Sequence, residues 1–132
     1  MPINVAINGA AGRMGRMLIH AIDGETDLSL VLALERPDSV LLGQDAGLVA
    51  GIGEIGVPVA TNMKAASFDV LIDFSVPAAT LGLLETGAVE GCGMVIGTTG
   101  FNAAGLRAID VAAETVPIVM APNMSVGVNV LF

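Results

Sequence analysis

The sequence has no tryptophan or tyrosine, and its 132 residues include only four phenylalanines, one cysteine, one histidine and five lysines and arginines. Each shortage excludes something. A single cysteine, Cys92, leaves no intramolecular disulfide framework, so the core must stabilise the chain, and a reducing cytoplasm is the expected compartment. Five cations against thirteen carboxylates, a formal charge of −8, provide no basic patch to displace counterions from nucleic acid or to meet anionic lipid headgroups. Neither nucleic acid nor membrane is expected as a partner, and no metal is called for. A secretory leader is not expected either, because Met1 to Ile7 has no basic segment and no long apolar stretch.

A clean transmembrane run is also missing, although 54% of the residues are hydrophobic. The longest uncharged stretch, Thr115 to Phe132, contains Pro117, Pro122, Asn123 and Asn129 and reads as strand, turn and helix start. Gly91 to Leu106 is interrupted by five glycines. The apolar residues therefore belong in a sheet covered on both faces, where strands read as continuous hydrophobic runs. A chain of this length forms one domain and buries roughly two thirds of its unfolded surface.

What is present is an alternation of β-branched runs and helix-like segments, the pattern of βαβ units. Strands are predicted at Ile3 to Asn8, Leu28 to Leu34, Val57 to Ala60, Asp69 to Phe74, Met94 to Gly97 and Pro117 to Ala121. A helix is predicted over Arg13 to Ile22, with Met14, Met17, Leu18, Ala21 and Ile22 on its apolar face. A second begins with Ser75 as N-cap and Pro77 in its first turn and runs to about Ala88. A third, capped by Asn102, covers Ala103 to Glu114. Pro37 to Gly56 has five glycines and no clean period, and reads as a long irregular connection with one short helical turn. The fold class is α/β, a doubly wound, mostly parallel sheet with helices on both faces.

Directly between the first strand and the first helix lies Gly9-Ala10-Ala11-Gly12-Arg13-Met14-Gly15. A dinucleotide site needs a tight turn, a glycine where backbone approaches the pyrophosphate, and another where the helix packs closely. Aligned to G-x-G-x-x-G, the three positions are Ala10, Gly12 and Gly15, with Gly9 extra, so the turn is a variant. The helix N-terminus adds unpaired N–H groups and about half a positive charge. Glu35 stands twenty residues after Gly15, at the end of the second strand, where an acid accepts the ribose hydroxyls of NAD. Arg36 follows and can pair with the 2′-phosphate of NADP, so both cofactors are expected.

Of the five cations, Arg13, Arg16 and Arg36 cluster at this turn. Arginine at a helix N-terminus is repelled by the dipole by about 0.3 to 1 kcal/mol, a sign that a bound pyrophosphate would reverse. Gly97-Thr98-Thr99-Gly100 and Ala121-Pro122-Asn123-Met124-Ser125 also sit at strand ends. They suit a ribose and a nicotinamide amide, or they are ordinary polar turns, and spacing leaves the two readings level.

Taken together, GAAGRMGR, LER, LLGQDAG, DF-S-x-P, GMVIGTTGF and A-x-N-x-SVGVN resemble, in this order and over almost the whole chain, the N-terminal half of the 4-hydroxy-tetrahydrodipicolinate reductases. These are the dihydrodipicolinate reductases of bacterial lysine biosynthesis. The resemblance implies a Rossmann-type fold that binds NADH or NADPH. Cofactor contacts would come from Gly9, Ala10, Ala11, Gly12, Arg13 and Met14, with adenosine-ribose selection by Glu35 and Arg36. Gly97, Thr98, Thr99, Ala121, Pro122, Asn123 and Met124 would serve the nicotinamide side, and Thr99 would also touch the substrate, a cyclic dicarboxylate.

The family's second domain, with its E-x-x-H-H-x-x-K motif and S-G-T-A-like loop, has no counterpart here. The only histidine, His20, matches no catalytic position and reads as a helix-face residue. Residues 1–132 are thus expected to be a dinucleotide-binding domain without catalytic residues, inactive alone and monomeric or weakly dimeric, from a reductase that is a homotetramer when complete. The chain ends at Val130-Leu131-Phe132, within the opening turns of a helix and without a stop signal. The alternatives are the cofactor domain of another two-domain dehydrogenase and a stand-alone nucleotide-sensing module.

Overall fold

Apolar runs separated by glycine-marked turns fold into alternating strands and helices. The computed structural model describes residues 2–64, 66–85 and 91–120. Strand β1 (Ile3–Asn8) leads through the glycine turn into helix α1 (Arg13–Asp23), followed by β2 (Leu28–Leu34). The short helix α2 (Ala46–Ala50) and strand β3 (Val59–Ala60) come next. They precede β4 (Val70–Asp73), α3 (Pro77–Glu85), β5 (Gly93–Ile96), α4 (Ala103–Ala112) and β6 (Ile118–Met120). The strands form one sheet in the order β3-β2-β1-β4-β5-β6, and every neighbouring pair is parallel. The chain winds outward from β1 through β2 to β3, then returns to the other side of β1 with β4. The sheet is therefore doubly wound, as the sequence pattern predicts.

Both faces of the sheet are buried. Val5 and Ile7 of β1 pack with Leu18, Ile19 and Ile22 of α1 and Ala46 of α2. Ala6, between them, points to the opposite core with Leu71, Met94, Ile96 and Ile109, against which Leu81, Leu83 and Leu84 of α3 pack. Alternate residues of one strand thus serve two cores, which is why the strands carry no polar face. No helix among the described residues is long and apolar enough to cross a membrane.

The helix face of α1 differs from the expected one. Its buried row is Gly15, Leu18, Ile19 and Ile22, at the spacing of one helical stripe, while Met17 is 54% exposed. The cause is Gly15. A Cβ there would lie 2.2 Å from the Gly9 carbonyl oxygen and 2.6 Å from that of Ala10. The glycine must face the turn, and this rotates the helix away from the stripe that its methionines suggest.

Ser75 does not cap α3. Val76 precedes Pro77, and its carbonyl accepts from the Ala79 and Thr80 N–H groups. The Ser75 hydroxyl instead donates to Asp73 Oδ1 at 2.6 Å, a charge-assisted bond stronger than a cap to a neutral amide. Asn102 does cap α4, accepting from the Gly105 N–H at 2.8 Å. Beyond Glu85 the predicted course of α3 lies outside the described residues.

The Pro37–Gly56 connection holds the single short helix expected of it, α2, and one side chain organises it. Asp45 accepts from the N–H groups of Gly47 (2.8 Å), Leu48 (3.3 Å), Ile55 (3.0 Å) and Gly56 (2.7 Å). Desolvation alone would raise the Asp45 carboxyl, but the N–H groups of Ile55, Gly56, Leu48 and Gly47 together hold it below its ordinary 3.8.

Candidate functional site

Strands β1, β2 and β4 end side by side at the point where the sheet changes winding direction, and a cavity of ≈ 620 Å³ opens there. In doubly wound sheets, ligands bind at this crevice. Its floor is the glycine turn, through Asn8, Gly9, Ala11 and Gly12. One wall is the end of β2 and its sequel, Glu35, Arg36, Asp38, Ser39, Val40 and Leu41, and the other is Phe74, Ser75, Val76 and Ala79.

The turn is built by backbone. Gly9 has φ +84°, and a Cβ there would meet the Phe74 carbonyl oxygen at 2.2 Å, so the tight turn falls on Gly9 and not on Ala10. The N–H groups of Gly9 and Ala10 both donate to the Leu34 carbonyl, at 3.0 and 3.1 Å, and Ala10 is buried. Gly12 is the N-cap residue of α1, with no side-chain cap. The nearest atom to a Cβ at Gly12 is 3.4 Å away. Gly15 and Gly9 are therefore glycines because of the protein around them, whereas the protein's own packing does not require one at Gly12.

Glu35 joins the strand end to this turn. Its N–H donates to Ala60 at 2.8 Å, and its Oε2 accepts from the Ala11 N–H at 2.8 Å. Arg36 lies exposed on the same wall, with Nε 3.3 Å from Asp38 Oδ1. Arg16, grouped with the phosphate cations in the sequence, donates from Nε to the Ala11 carbonyl at 2.8 Å and so straps the turn from outside. Arg13 and Met14 open α1 just beyond the turn, and among the described residues the cavity wall includes neither. His20 is exposed on the last turn of α1.

A buried carboxylate ties the strand ends together, and the sequence reading did not single it out. Asp73 is fully buried. Its Oδ1 accepts from Asn8 Nδ2 at 3.0 Å and from the Ser75 hydroxyl, while Oδ2 accepts from the Thr80 and Thr98 hydroxyls. Thr98 Oγ1 in turn accepts the Ser75 N–H at 3.0 Å. Neutral donors from β1, α3 and the end of β5 thus satisfy the charge, as burial demands. The available signal was an acid, Asp73, set within the apolar run Val70 to Phe74.

The predicted residues after β5 divide. Gly97 is buried, and a Cβ there would lie 1.9 Å from Phe74 Cε1. The Phe74 ring therefore lies across Gly97 and forms part of the cavity wall. Thr98 is buried in the Asp73 network, whereas Thr99 is exposed at the strand end. Ala121, Pro122, Asn123 and Met124 lie outside the described residues.

A family model described as dihydrodipicolinate reductase, N-terminus, matches residues 3–124. A 4-hydroxy-tetrahydrodipicolinate reductase from Alkalilimnicola ehrlichii is 50% identical over 131 residues, which is 98% of this chain and 49% of that protein. One from Thiobacillus denitrificans is 51% identical over 133 residues, 99% of this chain and 49% of that protein. Among solved structures, a dipicolinate-bound dihydrodipicolinate reductase from Paenisporosarcina sp. TG-14 superposes with a TM-score of 0.72 at 28% identity, covering 96% of this chain and 49% of that one. The chain spans about half the length of the curated relatives it matches.

Proposed function

Since this chain belongs to the dihydrodipicolinate reductase N-terminal family, we propose that it is the nucleotide-holding half of an NAD(P)H-dependent reductase. The complete enzyme would convert the dihydrodipicolinate precursor to tetrahydrodipicolinate in lysine and diaminopimelate biosynthesis, in the cytoplasm and as a homotetramer. When bound, the reduced nicotinamide supplies a hydride to a cyclic dicarboxylate. This chain's own residues bind and orient the nucleotide, while the remainder of the protein holds the substrate and delivers the proton.

The observation that carries this reading is the cavity at the winding reversal, with an open Gly12 on its floor and Glu35-Arg36 on its wall. Gly9, Ala10, Ala11, Gly12, Arg13 and Met14 form the pyrophosphate cradle at the start of α1, where the helix dipole and the N–H groups of Arg13 and Met14, at the first two helical positions, favour an anion. Glu35 and Arg36 take the adenosine ribose with or without its 2′-phosphate, so both NADH and NADPH are accepted. Gly97, Thr98, Thr99 and Ala121 to Met124 serve the nicotinamide side, with Thr99 exposed toward substrate and Thr98 acting through the Asp73 network.

Titrating NADH and NADPH and following nicotinamide fluorescence tests this directly, because a chain without Trp or Tyr contributes little background. Saturable enhancement is expected with both nucleotides. No binding at millimolar concentration of either would overturn the reading.

A further inference from the structure

Immediately after Glu35 the chain brings a second carboxylate to the arginine. Arg36-Pro37-Asp38-Ser39 forms a turn in which the Ser39 N–H donates to the Arg36 carbonyl at 3.0 Å. Proline's fixed φ suits the second position of such a turn, and aspartate is a favoured turn residue. The turn folds Asp38 back onto Arg36, whose Nε lies 3.3 Å from Asp38 Oδ1, with both side chains largely exposed. Both residues line the cavity at the end of β2. Glu35 turns its two carboxylate oxygens to the Ala11 and Arg36 N–H groups, and among the described residues the ion pair of the Arg36 guanidinium is with Asp38. The guanidinium that faces the cavity thus already has a carboxylate partner.

We propose that Asp38 determines nucleotide specificity. By holding Arg36, it sets the cavity against a ribose 2′-phosphate and favours a free 2′-hydroxyl, and hence NADH over NADPH. The inference rests on the nucleotide reading above. A phosphate carries 1.5 to 2 negative charges near neutral pH. To pair with Arg36 it must displace Asp38 or sit beside it, whereas a hydroxyl does neither. The ion pair is exposed and therefore weak, so the bias is modest and screened by salt. Asn at position 38 keeps the turn chemistry and removes only the charge.

Adenosine 2′,5′-bisphosphate and adenosine 5′-monophosphate differ only in the 2′-phosphate and isolate this effect. Calorimetric titration of both into the full-length protein would compare the parent, Asp38→Asn, Arg36→Ala and the double variant. Asp38→Asn is expected to tighten the bisphosphate by about three- to fivefold and to change the monophosphate less than about twofold. The gain should fade at about 1 M salt, where the Debye length is about 3 Å, and vanish in the Arg36→Ala background. Equal changes for the two probes, no change, or a gain that survives without Arg36 would each overturn the proposal. Failure of both probes to bind the parent at millimolar concentration would overturn the nucleotide reading itself, and this inference with it.

Discussion

The Glu35 carboxylate accepts the Ala11 N–H at 2.8 Å, so the acid at the end of β2 holds the glycine turn at the end of β1. The residue that would select the ribose also sets the position of the loop that would receive the pyrophosphate. Changes at Glu35 should therefore alter affinity and specificity together.

For Glu35→Gln, an acceptor for the Ala11 N–H remains while the charge opposing a 2′-phosphate is lost. Stability should stay within about 0.5 kcal/mol, and NADPH binding should improve relative to NADH. Glu35→Ala should lose about 1 to 2 kcal/mol, because a backbone donor is left without its partner, and should weaken both nucleotides. Urea denaturation and fluorescence titration measure the two effects separately.

The two glycines of the turn should fail in different ways. Gly15→Ala drives a Cβ into the Gly9 and Ala10 carbonyls and should cost about 1 to 3 kcal/mol of stability. Gly12→Ala meets only the Gly9 oxygen at 3.4 Å and should cost at most about 1 kcal/mol as an N-cap change. Its loss should appear in nucleotide affinity, by roughly tenfold, because a methyl group would stand where backbone must approach the pyrophosphate.

Gly97→Ala should destabilise by about 1 to 3 kcal/mol, since its Cβ would overlap the Phe74 ring. Combining it with Phe74→Leu should recover part of that loss, giving a non-additive cycle. Additive losses would mean that the ring and the glycine are not in contact.

Asp45 predicts a pH signature. Its folded pKa lies below the ordinary 3.8, so its stabilisation is complete above the unfolded value of about 3.9 and is lost as pH falls through the lower, folded one. Asp45→Ala should lower the urea midpoint at pH 7. The gap to the parent should narrow below about pH 3.9, as protonation removes the part of it that depends on the charge. Midpoints measured from pH 7 down to about pH 3 check this.

The parts of the fold that were legible in sequence are those governed by local rules. Strand runs such as LSLVLAL, the Asn102 cap and the glycine turn depend on residues close together in the chain, and their positions follow from them. The rotation of α1 was not legible, because it depends on Gly15 meeting the Gly9 carbonyl in three dimensions. Asp73 reads in sequence only as one residue of the strand Asp69 to Phe74. Its role needs donors from Asn8 and Thr98, respectively 65 and 25 residues away. Spacing singles out Glu35 and Arg36 as candidates, but their partners, Ala11 and Asp38, emerge only once the loops have folded. Arg16 likewise has a partner that spacing does not show, the Ala11 carbonyl.

The central place of β1 in the sheet also bears on how the protein is made. Its inner neighbour β4 pairs with it across 65 residues of sequence. At synthesis rates of about 5 to 20 residues per second, β1 leaves the ribosome roughly 3 to 13 seconds before that neighbour exists. During that interval β2 can cover one edge of β1 while the other edge stays open. Because parallel pairings over such separations form slowly, the nascent chain passes through a stage in which an apolar strand edge is available to the wrong partner. The strand order thus leaves one edge of β1 unpaired until β4 has been made.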